Sequence, residues 1–491
     1  ITSADQLFNE TVLTGKYVLK NDLDMTGVNK RSLLSGGAIL DGNGHSLLNY
    51  SGANFFALIG AATIRNLTMG TAEKPFELTI GAIAKDDPPA DVLWENITLY
   101  ATSTNKVVGC FLPNANGKHI FRNSTVTVNA TSDGTSNLGG WVAYSNNANA
   151  DLTWENCTTY GSLTSTEDAL VSGFIANVTT QGKFTFTNCT NYANLTSVSR
   201  AVGGFVAFGD ANDTVTVTMT GCRNFGSVKA TVEKEAAAGY AGLIGRSAFS
   251  TVMTDCANYG AVIGSLEVGG LVGYVNQKSL TMTNCENFGT VHANYSNAGG
   301  LIGLTDQATV TVNGSVNYGS VDCAVKCAAG IIGWVEGGNV TVTGATNRGN
   351  VTSPDNAGGM VAEANGSTAL EKCLNTGKIV GTGGNIGGFI GYSDVTSQLT
   401  ECANIGSVSL TGGSRCANFV GGGAAVLTRC LAFGTVTGTA ADMFFGGEAG
   451  YWSQENESVG NSYWTNGTTA TKLGKDSVKV ENAADAIAAL G

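Results

Sequence analysis

Twelve cysteines, three histidines and a large set of Asn-x-[Ser/Thr] sequons are the residues of this chain best equipped for chemistry. Eight of the cysteines, Cys157, Cys189, Cys222, Cys256, Cys285, Cys373, Cys402 and Cys430, recur at near-constant intervals. The intervening anchor positions carry Leu67, Ile97, Ser124, Ser315 and Ala345, which suits a small buried slot better than a ligand set. A thiol in such a slot behaves as a small hydrophobe, so free thiols are expected there. Cys323 and Cys327 stand apart, four residues from each other in a loop, and form the candidate disulfide. Cys110 and Cys416 lie off the column. Zinc lacks ligands, because none of His45, His119 and His292 neighbours two cysteines.

The second constellation is asparagine. Two residues past the anchor stand Asn191, Asn224, Asn258, Asn287, Asn317, Asn347, Asn375 and Asn404, followed two residues later by Gly in most repeats. Both types tolerate left-handed backbone, and a stacked amide can satisfy the chain above and below it. A structural ladder is the expectation; a carbohydrate-binding row is its alternative.

The third constellation is the sequons, about eighteen in number. The glycosylation candidates are Asn66, Asn96, Asn123, Asn129, Asn156, Asn177, Asn188, Asn194, Asn212, Asn294, Asn313, Asn339, Asn350, Asn365, Asn456 and Asn466. Five of them, Asn66, Asn96, Asn123, Asn156 and Asn188, fall immediately before the anchor in five successive repeats. Chance would scatter them, so a glycosylated ridge at a solvent-facing corner is expected, with a plain polar corner as the alternative.

Acid/base chemistry has less to work with. Acidic residues are scattered one or two per repeat with no column of Asp or Glu, whereas glycoside hydrolysis needs paired carboxylates. Asp86, Asp87 and Glu233 to Glu235 read as loop charges, and Asp22, Asp24 and Asp41 as turn and cap residues. No cofactor is called for.

These residues are positioned by a repeat. Met253 to Tyr274, MTDCANYGAVIGSLEVGGLVGY, returns at Met282 to Gly303 as MTNCENFGTVHANYSNAGGLIG. Anchor spacings run from 27 to 34 residues with no linker-like break. Before each anchor lies a period-two stretch, such as Val215, Val217 and Met219, which marks a strand with alternate residues buried. After it the apolar spacing becomes three, as in Cys256, Tyr259 and Val262, all assigned to the core on either side of a corner. A GGLVG-type segment supplies a third short strand. Three short strands per repeat, without helical periodicity, specify an all-β parallel β-helix of about 13 coils, roughly 60 Å long. Residues 1–60 are the entry and cap, 61–440 the coils, and 441–491 a C-terminal cap or docking segment containing Phe444, Phe445, Tyr451, Trp452, Tyr463 and Trp464 and a short helix from Ala483 to Leu490.

Bulk composition narrows function further. A net charge of -12 and only 13% charged residues disfavour nucleic acid and anionic membranes. No apolar run reaches the ~20 residues of a membrane-spanning helix. The start at Ile1 rather than Met reads as signal-peptide removal, and with the sequons it places the protein outside the cell or on its surface, by the secretory pathway.

The NYG-x-V and GGLVG segments resemble the GLUG-motif repeat of secreted and surface β-helix proteins. The opening stretches ITSADQL, KYVLKNDLDMTG, LDGNGHSL and ATIRNLTMG are similar to the region that precedes such repeats, so the likeness runs from Ile1 to about Gly434. It implies a right-handed β-helix with an adhesin-like or accessory role and no enzyme site. The chain departs from the pattern in its dense sequons and at Thr346-Asn347-Arg348, where the aromatic is lost. The expected function is an extracellular structural glycoprotein, not an enzyme, whose coils join end to end into a filament, its partners being itself and its covalent glycans. A monomeric adhesin for glycans or host protein is the alternative, and a polysaccharide-degrading enzyme the third reading.

Overall fold

A computed structural model describes residues 1–438 apart from 80, 87–88, 105–106, 135–136, 146–149, 179–180, 199, 210–213, 232–238 and 414. Beyond 438 it describes the backbone of 441–442, 458–460, 463–464 and 478–479. The expected helix at 483–490, Asp87, Glu233 to Glu235 and the aromatics Phe444, Phe445, Tyr451 and Trp452 lie outside the described residues.

Strands stack in parallel onto their copies one repeat later, forming a β-solenoid of about 12 turns. The chain divides into two compact units, residues 1–232 with 242–251, and residues 233–241 with 252–491.

In the second unit, Ser279–Thr283, Thr309–Asn313 and Asn339–Thr343 pair in register, so that Leu280, Val310 and Val340 form one column and Met282, Val312 and Val342 the next. All six are at most 1% exposed, while Thr281, Thr311 and Thr341 alternate outward. The period of two read from the sequence is therefore the pleat of a wall with one buried face.

In the first unit the core is aromatic. Trp94, Phe121, Trp154 and Phe186 occupy one register column, with Trp154 and Phe186 stacked at 4.6 Å. Phe111, Trp141, Phe174 and Phe205 form a second, with Phe174 and Phe205 also at 4.6 Å. Coil spacing of ~4.8 Å brings flat rings to contact distance, so identical positions in successive coils stack.

The chain's own N-terminal segment lies on the first coil. A helix at Ala4–Leu7 has Ser3 at its N-cap position, without a side-chain cap bond, and Leu7 and Phe8 are buried, Phe8 packing on Phe55 at 5.7 Å and Phe56 at 6.1 Å. Strand Lys16–Val18 pairs on one side with Ala38–Asp41. On its other side Ile1 N donates to Val18 O, and Lys20 N donates to Ile1 O.

Candidate functional site

The corner before each anchor is set by backbone conformation. Asn66, Asn96, Asn123, Asn156 and Asn188 all have positive φ, between 48° and 53°. In the remaining repeats Gly221, Asp255, Asn284, Gly314, Gly344, Lys372, Glu401 and Arg429 hold the same left-handed corner. Asn, Asp and Gly pay the least to adopt this region, which explains the alignment of the five sequons without reference to modification. Asn96 Nδ2 donates to Asn66 Oδ1 at 2.9 Å and Asn156 Nδ2 to Asn123 Oδ1 at 3.0 Å. Asn96, Asn123, Asn156 and Asn188 are exposed and Asn66 is half-buried. Among the other sequons Asn129, Asn194, Asn339 and Asn350 are exposed, and Asn177, Asn294, Asn313 and Asn365 half-buried. Asn212, Asn456 and Asn466 lie outside the described residues.

The asparagine column is a hydrogen-bonded ladder. In the first unit Asn191 Nδ2 donates to Asn224 Oδ1 at 2.7 Å. In the second, Asn258, Asn287, Asn317, Asn347, Asn375 and Asn404 each donate to the next at 2.8–2.9 Å, and Asn404 ends on Asn418 Oδ1 at 2.9 Å. Each second amide hydrogen reaches the carbonyl two residues on, as Asn317 does to Gly319 at 2.9 Å. All eight are fully buried, so the carbohydrate-row alternative has no surface to act on.

One part of the expectation is corrected. These Asn and the following Gly do not have positive φ; the Asn sit in two-residue strands. The glycine requirement is close approach instead. A Cβ on Gly349 would lie 1.8 Å from Gly319 O, and one on Gly319 would lie 1.9 Å from Gly289 O.

A second correction concerns the aromatic between Asn and Gly. Tyr259, expected in the core, is 39% exposed, and the equivalent Phe225 and Phe288 are 41% and 38% exposed. They belong to exterior stacks: Tyr160, Tyr192 and Phe225 in the first unit, and Tyr259, Phe288 and Tyr318 in the second, with centroids 4.6–5.0 Å apart and planes within 10°. Arg348 closes the latter stack by lying over Tyr318 at 5.4 Å. The three-residue spacing marks a bend whose middle residue points outward. Because the rings cover one another's faces, this row presents edges rather than platforms.

All twelve cysteines are buried, and none is joined in a disulfide. Column thiols donate to main-chain carbonyls, as Cys157 Sγ does to Phe121 O at 3.3 Å. The Cys323–Cys327 disulfide is not formed: Lys326 N approaches Cys323 Sγ at 3.3 Å, while Cys327 Sγ turns to Glu363 Oε2 at 3.3 Å. The two thiols face different partners. Burial raises the Cys327 thiol well above its ordinary value, and Glu363 adds to the effect.

Asp86, expected to be a loop charge, is instead buried at 2% exposure. Its Oδ2 accepts from His119 Nε2 at 2.8 Å and from the amides of Asn116 and Gly117 at 2.9 Å, while Oδ1 accepts from Ala90 N at 2.8 Å. Trp94 Nε1 faces His119 Nδ1 at 3.4 Å. Fully satisfied, this group staples a loop to the wall. Asp24 and Asp41 do the expected turn work, Asp24 accepting from Thr26 N and Oγ1 at 3.1 and 2.7 Å and Asp41 from Asn43 N at 2.8 Å, whereas Asp22 bridges to the next coil by accepting from Ser46 N at 2.9 Å.

The richest unassigned chemistry lies on the third wall of the second unit. Tyr274, Leu304, Trp334, Glu363 and Tyr392 share one register column on the outward side of their strands. Trp334, Glu363 and Tyr392 are half-buried, Tyr274 and Leu304 nearly flush at 8% and 5% exposure. Each follows by seven residues a corner residue on the other side of a Gly-Gly or Ala-Gly bend, among them Cys327, Asn356 and Asn385. Glu363 accepts from Asn356 Nδ2 at 3.2 Å and from Asn365 Nδ2 at 3.1 Å, and Asn385 Nδ2 donates to Asn356 Oδ1 at 2.9 Å. Two residues along the strands lie Asp306, which accepts from Tyr274 Oη at 2.8 Å, and Glu336. Burial raises Glu336 above the ordinary carboxylate range, with the charges of Asp306 and Glu363 adding to it; Asp355 is raised by burial and by Glu363. Sequence reading missed this column because its members differ from coil to coil. The shared signal was position, seven residues past the corner, not residue type.

Among the described residues no group of three or more His, Cys, Asp or Glu is arranged to hold a metal, and no helix is long and apolar enough to cross a membrane. No known protein family and no curated protein matches this sequence. Among solved structures it is similar to a Bacteroides ovatus protein provisionally assigned as an immunoglobulin A1 protease, with a TM-score of 0.26 at 12% identity, covering 77% of this chain and 76% of that one. An overlap of that extent carries over neither fold nor function.

Proposed function

We propose that this protein is an extracellular, non-catalytic β-solenoid of the adhesin type, which binds its partner along a wall rather than joining end to end. The observation that carries this reading is the occupied first coil. End-to-end polymerisation needs a free strand edge at each terminus, and part of the first is taken: Ile1 lies against Val18 and Lys20, and Leu7 and Phe8 are buried beside it. The chemistry-bearing columns support the same reading. Their amides and rings are taken up by their own copies and their thiols by main-chain carbonyls, which is what a scaffold requires.

The resemblance to GLUG-motif proteins and the exposed sequons agree with a surface location and with glycans on the coil corners. Analytical ultracentrifugation across a hundredfold concentration range, with negative-stain micrographs of the same samples, tests the proposal. Monomers throughout are expected; concentration-dependent filaments would return the end-to-end reading. Incubation with a panel of soluble polysaccharides, followed by reducing-end assay, is expected to release nothing.

A further inference from the structure

The polar groups of the third wall are largely taken up by one another. Tyr274 Oη donates to Asp306 at 2.8 Å, and Glu363 accepts from Cys327 Sγ at 3.3 Å and from the amides of Asn356 and Asn365. The wall before the anchor is different. In the second unit its strands Ser279–Thr283, Thr309–Asn313 and Asn339–Thr343 pair residue for residue without a bulge. Two outward columns cross them, Thr281, Thr311 and Thr341 in one, Thr283, Asn313 and Thr343 in the other. All six are exposed or half-buried, and among the described residues none forms a hydrogen bond to any of their side chains. Each therefore turns both donor and acceptor capacity outward.

Threonine is a good strand former, so its presence on an outer face needs no ligand; the lack of charge is the informative feature. At the position of Thr283, one before the left-handed corner, the first unit carries Arg65, Glu95, Arg122 and Glu155. These pair along the column, Arg65 with Asp41 at 2.9 Å and Arg122 with Glu155 at 2.6 Å and Glu95 at 3.5 Å. In the second unit three successive coils carry no charge on this wall, and charge resumes at Glu371.

The array is a lattice. Neighbouring coils repeat it every ~4.8 Å, and successive outward residues of one strand lie ~6.6 Å apart, twice the rise per residue. A small molecule would meet two or three of these groups and gain nothing from the rest. A ligand that is itself periodic meets all of them in register. The prism face of hexagonal ice presents water oxygens along two perpendicular directions at spacings close to these. Threonine offers that face a hydroxyl to bond the oxygens and a methyl to fill the hollow between them. Little ordering is needed on contact, because β-branched side chains are stiff at χ1 and the strands beneath are already paired.

We infer that the threonine wall of the second unit binds ice, lying flat on a face of the crystal. This rests on the reading of a non-catalytic solenoid that binds along a wall, and names the partner class for it. Asn313 in the array and Asn339 beside it begin sequons, so both must be bare.

Slow growth of an ice front through a dilute solution of the full chain, with protein measured in ice and in liquid, tests it. Retention in the ice well above that of serum albumin is expected, with faceted crystals just below the melting point. Thr311→Tyr, in the middle of the array, is expected to cut retention about tenfold, because one ring standing off a flat face parts the whole array from a flat ligand. Thr352→Tyr, exposed in the separate strand Val351–Ser353, is expected to leave retention unchanged. Tyrosine is favoured in strands, so both variants are expected to keep the native circular dichroism; should Thr311→Tyr misfold, Thr341→Tyr decides. Retention of the unaltered chain no higher than that of albumin, equal losses in Thr311→Tyr and Thr352→Tyr, or no loss in natively folded Thr311→Tyr would each overturn the site. Glycan on Asn313 or Asn339 of protein secreted from a eukaryotic cell would overturn it too. Binding to insoluble chitin or cellulose in place of ice, abolished by Thr311→Tyr, would overturn it in favour of a crystalline polysaccharide. Failure to bind ice by a chain that stays monomeric leaves the solenoid reading standing, whereas concentration-dependent filaments would sink that reading itself.

Discussion

Replacing Asn317 by alanine takes three hydrogen bonds out of the middle of the second unit's ladder: the one received from Asn287 and those given to Asn347 and to the Gly319 carbonyl. Asn287 keeps its bond to Gly289 O at 2.9 Å, so its amide remains partly satisfied. Asn347 Oδ1 and Gly319 O lose this donor inside the protein. Leaving a buried acceptor without a partner costs about 1–3 kcal/mol, so the pair predicts about 2–6 kcal/mol. Solenoids unfold by neighbour interactions rather than as one cooperative block, so a global midpoint would blur the effect. Amide hydrogen exchange across residues 280–375 resolves it. Even the lower bound corresponds to about a thirtyfold faster exchange of the protected amides flanking the substitution. The exposed Asn339→Ala serves as the control and is expected to leave those amides within a factor of about two. If Asn317→Ala behaved like Asn339→Ala, the ladder would be a consequence of the fold and not one of its supports.

Four further outcomes are expected. Gly349→Ala, whose Cβ would meet Gly319 O at 1.8 Å, is expected to cost more than about 3 kcal/mol, whereas Gly314→Asn, at a left-handed corner with φ 57°, is expected to change stability by less than about 1 kcal/mol in urea unfolding. Thiol titration with a chromogenic disulfide reagent is expected to find none of the twelve cysteines in the native protein and all twelve in denaturant; burial pushes Cys110 and Cys416 up to about 12, so native labelling stays slow even at mildly alkaline pH. Asp41 is held below 3.8 because hydrogen bonds from Asn66, Asn43 and Arg65 outweigh the upward push of burial; a depressed acid contributes stability above its unfolded pKa and loses it as pH falls through the folded one, so the entry segment is expected to loosen below about pH 4 in proteolysis assays. Glu336 and Asp355 have the opposite sign: raised above 4.5 and 3.8, they cost stability when ionised, and acidification toward those values is expected to slow exchange in the third wall of the second unit before the entry segment gives way.

The period-two strands, the anchor slot and the stacking of equivalent residues were legible in the sequence because each repeats the same residue type at the same place. Valine at 310, 312, 340 and 342 can only alternate in and out on a pleated wall, and Asn at eight equivalent positions can satisfy itself only by pairing with its copies. What lay beyond the sequence was direction. Tyr259 shares its spacing with Cys256 and Val262, but the bend between them turns its side chain to solvent, and spacing alone does not encode the sense of a bend. Conformation was also misassigned between two Asn positions: the left-handed residue is the one before the anchor, where Asn, Gly, Asp, Lys, Glu and Arg all occur, and not the uniform Asn after it.

By itself, then, the sequence determined that this chain is a parallel β-solenoid with a ladder-filled interior, because a repeated residue in a repeated coil must meet itself. Only the tertiary structure decided which residues share the outer wall of the second unit. Tyr274, Leu304, Trp334, Glu363 and Tyr392 have no common type to betray them, and Asp306 and Glu363 come within interaction range of Glu336 only because coils separated by about thirty residues stack at ~4.8 Å.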